Sequence, residues 1–340
     1  MKGAGVDVVV FALENSPLAN AAKKSQLEVV FIKKHQKYYD FISALKLANL
    51  LKDHFITHLF IRDTRDMSIA GIAKLFVRNQ LRVSYFMEMQ LGIRKKDILH
   101  TIRFARLDDW FCPLEWLKNQ VIEKTNFPER KIHVVPSGLD LSQFQNELNK
   151  TQARQLMELP TDLVLFGLIG RFDPQKGQLL ALKAFEALEN QAVGLVFLGE
   201  KTKNEADEYY ASIEKYIDKN NLKDRVFIRP FRQDISTFFY AIDATIMASK
   251  SETFGMVTIE SMACGVPVIG SASGGTINLL QNGKMGYLFI PENQESLMSS
   301  MQEYLNNPKR FKKEKLRTES QKYNCQKITK QIISLCQINL

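Results

Sequence analysis

Residues 249–275 read Ser-Lys-Ser-Glu-Thr-Phe-Gly-Met-Val-Thr-Ile-Glu-Ser-Met-Ala-Cys-Gly-Val-Pro-Val-Ile-Gly-Ser-Ala-Ser-Gly-Gly. An apolar, strand-like run at 244–248 leads into a small polar loop, and from Phe254 onward Met256, Ile259, Met262 and Ala263 recur at helical spacing. The segment is a strand, a turn and the start of a helix. The first amides of a helix lack intrahelical acceptors and lie at the positive end of its dipole, so those of Gly255, Met256 and Val257 are suited to a phosphate, which Gly255 lets approach closely. Glu252 precedes the helix and Glu260 lies two turns inside it. Carboxylates do not bind phosphate, but they accept hydrogen bonds from paired sugar hydroxyls, so the corner suits a phosphorylated sugar. Taken alone, the pair is read more readily as an ordinary helix cap and a solvated helix residue.

The surrounding residues narrow that choice. The run Ser251-Glu252-Thr253-Phe254-Gly255-Met256-Val257, continued by Ile259-Glu260-Ser261-Met262-Ala263-Cys264-Gly265-Val266-Pro267-Val268-Ile269, closely resembles the Glu-x7-Glu signature of retaining glycosyltransferases of the GT-B fold, family four. The resemblance implies an α/β protein with two Rossmann-like, doubly wound parallel-sheet domains facing a cleft. It implies that Glu252 holds hydroxyls of the donor sugar, Glu260 the ribose hydroxyls, and the amides at Gly255, Met256 and Val257 phosphate and sugar oxygens. Backbone near Arg229 and Pro230 would meet the base.

Composition agrees with a globular protein of two domains: 340 residues, 45% hydrophobic and 24% charged, without low-complexity tracts or convincing repeats. No apolar run reaches the ~18 residues that span a bilayer, and residues 1–7 are too short and too soon charged for a signal peptide. A cytoplasmic location is expected. Cys112, Cys264, Cys325 and Cys336 show neither zinc nor disulfide-framework spacing. Of the net charge of +9, residues 308–340 carry +7, with nine Lys or Arg against Glu314 and Glu319. The rest of the chain is nearly neutral, which argues against nucleic acid as a partner and leaves the basic tail as a solvated face or a weak contact with an anionic membrane.

Strand-like and helical patterns alternate along the chain. Strands are expected at 6–11, 28–32, 57–61, 82–87, 110–112 and 132–135, and helices at 16–24, 39–54 (amphipathic), 66–78, 97–106 and 113–125. Residues 132–140 resemble the Ile-Pro-Asn-Gly-Val-Asp exit from the first domain of the family, with Ser137 in place of Asn, and 143–159 reads as a polar helical linker. Residues 163–170 are a continuous apolar run, the mark of a strand buried on both faces. A helix at 178–189 and strands at 194–198, 225–229, 244–248, 266–269 and 287–290 complete a second domain. The expected division is 1–155 for the acceptor side, 156–318 for the nucleotide-sugar side, and 319–340 for a helix returning to the first domain. Residues 321–334 are expected to form that helix, with Ile328, Ile332, Ile333, Leu335 and Cys336 as its apolar stripe.

After the apolar run comes Gly170-Arg171-Phe172-Asp173-Pro174-Gln175-Lys176-Gly177. Arg171 and Lys176 are a plausible diphosphate clamp, and the family's Gly-Arg-x-x-x-x-Lys-Gly segment implies that contact. Arg171, Lys176 and Glu252 are the expected catalytic residues. No Asp-x-Asp motif appears and the five histidines are dispersed, so neither a metal nor another cofactor is expected beyond the nucleotide-sugar co-substrate.

Three departures from the family pattern stand out. The family's His near the donor falls where this chain reads Glu88-Met89-Gln90-Leu91-Gly92, which makes Gln90 or Glu88 the candidate sugar or acceptor contact. Asn278 replaces the Glu of the Gly-Gly-x-x-Glu segment. Only residues 1–5 stand where the family places a strand, a glycine loop and a helix, an absence expected to leave apolar sheet edges open. The expected activity is transfer of a sugar from a nucleotide-sugar to a saccharide or lipid-linked acceptor of the cell envelope. The alternative is a nucleotide-sugar-binding pseudoenzyme or interaction subunit. A sugar-nucleotide epimerase or a phosphorylase is a more distant alternative.

Overall fold

A computed structural model describes residues 1–77, 81–144, 148–201 and 207–338. The expected helical residue 78 and part of the expected linker, 145–147, lie outside the described residues. The chain forms two compact units, residues 1–136 with 326–340, and residues 137–325.

The first unit alternates strand and helix: β1 (Val9–Leu13), α1 (Pro17–Lys24), β2 (Glu28–Ile32), α2 (Phe41–Asp53), β3 (His58–Ile61) and α3 (Asp66–Phe76). It continues with β4 (Arg82–Phe86), α4 (Ile98–Ala105), β5 (Asp109–Cys112), α5 (Glu115–Lys124) and β6 (Ile132–Val134). All its pairings are parallel, but they form two sheets, β1-β2 and β3-β4-β5-β6. β1 and β3 each carry one ladder edge with no partner among the described residues. β1 starts later than the apolar run at 6–11 predicts, because Val6 N–H turns back to the carbonyl of Met1. On one face of the larger sheet, Tyr85, Phe104 and Phe127 pack around the buried Trp110.

The second unit holds α6 (Lys150–Leu156), β7 (Val164–Ile169), α7 (Gln178–Glu186), β8 (Val193–Leu198), α8 (Asp207–Lys219), β9 (Val226–Arg229) and α9 (Ile235–Ala241). Then follow β10 (Ala244–Met247), α10 (Met256–Cys264), β11 (Val268–Ser271), α11 (Gly274–Leu279), β12 (Tyr287–Phe289), α12 (Gln294–Asn306) and α13 (Lys313–Ser320). Its six parallel strands lie in the order β12-β11-β10-β7-β8-β9. The strand order therefore runs outward in both directions from the β7/β10 pair, which makes that pair the topological switch point, the place where open α/β sheets take ligands. Within β7 the residues from Leu165 to Ile169 are buried, as expected of a strand covered on both faces. Helix α6, in the stretch read as a linker, is fastened by a buried guanidinium. Arg154 bonds Asp243 Oδ2 at 2.8 Å and the carbonyls of Ala241, Pro160 and Thr161.

The last helix, α14 (Cys325–Cys336), starts later than the expected residue 321 and runs two residues beyond the expected 334. Residues 321–323 form a 3-10 turn, and backbone bonds from Leu139 N to Tyr323 O and from Cys325 N to Leu139 O hold Asn324 in a bridge, so the helix begins at Cys325. Residues 326–338 belong with the first unit, where Ile328, Ile332 and Cys336 pack on Phe111 and Val135. Arg82 also donates to the carbonyl of Leu335, and Ser84 Oγ lies beside Cys336 Sγ.

Candidate active site

The candidate donor-side groups converge where β7 and β10 end. The loop after β7 carries Arg171, then turns through Pro174–Lys176, capped by Asp173, whose carboxylate accepts from Gln175 N. Gly177 follows at φ 73°, and a Cβ there would lie 2.4 Å from the carbonyl oxygen of Ala248. Only glycine lets this loop lie against the end of β10. Lys250 N–H closes the junction on the carbonyl of Gln175 at 3.0 Å.

That contact brings Lys176 to Glu252. Lys176 Nζ donates to Glu252 Oε1 at 2.6 Å, and Ser249 Oγ donates to the same oxygen at 2.7 Å. The Glu252 backbone is fixed from the other side, since its carbonyl accepts from Gly275 N at 2.7 Å and a Cβ on Gly274 would approach it to 2.3 Å. The Gly-Gly pair that opens α11 is thus the floor under Glu252. Lys176 and Glu252 are both half-buried, so their attraction is less screened than that of a surface pair.

Gly255 is the N-cap of α10, in a left-handed conformation and without a side-chain cap. The amides of Gly255, Met256 and Val257 find no acceptor among the described residues, which leaves the positive end of α10 open beside Glu252. Thr258 adds a buried hydroxyl in the same turn that has no hydrogen-bond partner among the described residues. Further along α10, the partly buried carboxyl of Glu260 makes no hydrogen bond or ion pair among the described residues, and burial pushes it up to about 7.

The remaining candidates are placed as follows. Arg171 is exposed and pairs with no carboxylate among the described residues, while its carbonyl accepts from Gln178 Nε2. Pro230 is exposed at the end of β9, and the preceding Arg229 bonds the carbonyls of Met157 and Glu158. Glu88 and Gln90 follow β4 in the first unit, where Glu88 pairs with Arg62 and Gln90 is half-buried. Ser249 and Thr258 are absent from the sequence-derived set. A hydroxyl three residues before Glu252 and another in the first helical turn were the available signals, but neither reveals its side-chain direction.

A Gly-Arg-x-x-x-x-Lys-Gly loop and a Glu-x7-Glu helix meet at the switch point of a parallel sheet, and the comparisons place the chain accordingly. The family model described as Glycosyl transferases group 1 matches residues 149–324, and the chain belongs to that family. A D-inositol 3-phosphate glycosyltransferase of Xylanimonas cellulosilytica is 31% identical over 165 residues, covering 46% of this chain and 39% of that protein. An uncharacterised glycosyltransferase of Methanocaldococcus jannaschii is 26% identical over 71% of this chain and 58% of its own length. The chain thus matches well under two thirds of the length of these relatives. Among solved structures, Anabaena Alr3699/HepE in complex with UDP superposes with a TM-score of 0.86 at 18% identity, covering 97% of this chain and 91% of that one. A glycosyltransferase of Rickettsia africae superposes with a TM-score of 0.86 at 17% identity, with 98% and 90% covered. These likenesses establish the GT-B fold.

Proposed function

We propose that this chain is a retaining glycosyltransferase that moves a sugar from a nucleotide-sugar to a saccharide or lipid-linked acceptor in cell-envelope polysaccharide or glycolipid synthesis. The observation that carries the reading is the Lys176–Glu252 pair, 2.6 Å apart at the β7/β10 switch point and next to the open N-terminus of α10. In the donor complex, Glu252 accepts from sugar hydroxyls, and Lys176 turns with Arg171 toward the diphosphate. The free amides of α10 meet the charge that develops on that leaving group, and fixed donors need no reorganisation at that moment. This chemistry asks for no metal from the protein. Glu260 takes the ribose hydroxyls and Pro230 borders the base. Gln90 or Glu88 contacts the sugar or the acceptor. The protein works in the cytoplasm, with peripheral contact to an anionic membrane where the acceptor is lipid-linked.

The second reading, a nucleotide-sugar-binding pseudoenzyme, is favoured by one observation, Gln90 in place of the family's His, since a Gln is no base at neutral pH. UDP and UDP-glucose, which occur in the Anabaena structures, are the first ligands to test. Titration calorimetry with UDP, followed by proton NMR of UDP-glucose mixed with a panel of saccharide, phosphorylated-cyclitol and prenyl-phosphate saccharide acceptors, separates the readings. Binding with formation of an α-glycoside from the α-linked donor supports transfer with retention. A β-linked product removes the retaining assignment. UDP binding with neither transfer nor hydrolysis under any acceptor favours the pseudoenzyme.

A further inference from the structure

A feature of the first unit lies outside the donor chemistry. Helix α2 buries Ala44, Leu47, Ala48 and Leu51, yet Phe41, Ile42 and Leu45 are exposed, Ile42 to 70%. Helix α4 buries only Phe104 and exposes Ile98, Leu99 and Ile102, Ile98 to 74%. Each set falls at positions i, i+1 and i+4, which is one stripe per helix. Ile93, in the loop between β4 and α4, is also 70% exposed. The guanidinium of Arg103 on α4 lies 4.9 Å from the ring of Tyr38, just ahead of α2, and Lys37 Nζ lies 5.2 Å from the same ring. Lys95 is pushed down by burial and then by the charges of Arg103 and Lys37, which places its loop against the same cluster. Single exposed apolar side chains are ordinary, but here two exposed stripes and Ile93 belong to segments that the Lys37–Tyr38–Arg103 cluster links.

The charges around the patch have one sign. Residues 33–46 and 93–106 contain nine Lys or Arg against two acids, Asp40 and Asp97. Both acids act as helix caps, Asp40 accepting from Ser43 N and Asp97 from His100 N. Among the described residues none of these lysines and arginines forms an ion pair, although Asp63 lies close enough to Arg103 to favour its charge. Apolar side chains interspersed with long basic ones fit the headgroup boundary of an anionic bilayer, where the stems bury and the charges meet phosphate. The basic run near the C-terminus lacks this pairing. Lys309, Lys312, Lys313 and Lys315 are exposed there, but Phe311 and Leu316 are buried, and no large apolar residue among the described residues after Ile290 is exposed.

We propose that the first unit docks on an anionic lipid surface through α2, α4 and the loop between β4 and α4. Ile42, Ile98, Leu99 and Ile102 enter the headgroup boundary, and Arg94 and Lys96 meet the lipid phosphates. The docking is independent of glycosyl transfer, so its test reads membrane partition rather than activity. The full chain is sedimented with vesicles of phosphatidylcholine alone or mixed with phosphatidylglycerol, as wild type, as Leu99→Gln with Ile102→Gln, as Arg94→Glu with Lys96→Glu, and as Lys309→Glu with Lys312→Glu and Lys315→Glu. Wild type is expected to bind only the anionic vesicles. Each patch variant should lose at least tenfold in partition, and the C-terminal variant less than threefold, with circular dichroism unchanged in all of them. Leu99→Trp should show a blue-shifted emission when its vesicles are anionic. Absence of wild-type binding, a loss confined to the C-terminal variant, or an unshifted Leu99→Trp emission on bound protein overturns the proposal. So does a wild-type dimer that the patch variants dissociate, since the face would then belong to a second copy.

Discussion

A carboxyl group without hydrogen bonds inside a protein keeps its proton to higher pH than one in water, because burial penalises the charge and nothing offsets it. Glu260 is such a group, pushed from 4.5 up to about 7. Its folded value lies above its unfolded one, so the stability it contributes is full below about pH 4.5 and is lost as pH rises through about 7. Glu260→Gln should therefore match the wild type at pH 4.5 and be more stable at pH 8 by on the order of 1–2 kcal/mol in ligand-free denaturant melts. Binding runs the other way, since ribose hydroxyls need the ionised acceptor. UDP affinity of the wild type should rise between pH 6 and 8 more steeply than that of Glu260→Gln, a comparison that cancels the titration of the ligand's own phosphate. Parallel pH profiles would remove Glu260 from the ribose. In turnover, Glu252→Gln should lower kcat, because it weakens a contact to the reacting sugar, whereas Glu260→Gln should mostly raise KM for the donor. Arg171→Ala should cost UDP more than ~1.5 kcal/mol by calorimetry, the scale of a charge-assisted hydrogen bond. An unchanged affinity would leave Arg171 as a solvated side chain.

At the scale of elements, the residues explain what spacing shows and what it hides. The Glu-x7-Glu helix, the strand before it and β7 were legible from local causes, helical period and apolar runs, whereas the glycine-flanked loop after β7 was legible as a phosphate clamp only through its resemblance to the family's Gly-Arg-x-x-x-x-Lys-Gly segment. Ser249 was not legible, since its role follows from a loop that Gly177 and Gly274 press into shape from distant parts of the chain. Helix α2 was legible as amphipathic, but its second apolar stripe, Phe41, Ile42 and Leu45, reads as noise until burial of the first is known. Helix α6 reads as polar linker because its anchor is a charged residue. Arg154 is 3% exposed, and with it gone the Asp243 carboxylate would keep, among the described residues, Lys150 and the amide of Leu165. Breaking a buried pair by removing one partner costs about 3–5 kcal/mol. Arg154→Met should lower stability by that amount, and adding Asp243→Asn should recover part of it. A loss below 1 kcal/mol would mean that water replaces the guanidinium without cost.

For the whole molecule, chain order and structural membership differ. Residues 326–338 follow the second unit in sequence yet pack in the first, whereas Arg171, Lys176, Glu252, Glu260 and the α10 amides all lie in residues 137–325. Deleting residues 326–340 removes Ile328, Ile332 and Cys336 from Phe111 and Val135, and takes away the backbone acceptor at Leu335 that bonds Arg82. Loss of several buried side chains from one core should cost more than ~3 kcal/mol. The residues proposed to hold the nucleotide lie outside that segment. In calorimetric melts the truncated protein should therefore unfold at lower temperature in the part that UDP does not protect. Saturating UDP should still raise the remaining transition, because a ligand stabilises only the unit that binds it, by RT ln(1 + [L]/Kd). Calorimetric Kd for UDP should stay within twofold of the full chain. A truncated protein with unaltered melting would show that α14 adds nothing to the first unit, and a tenfold weaker Kd would show that nucleotide binding draws on residues 326–340.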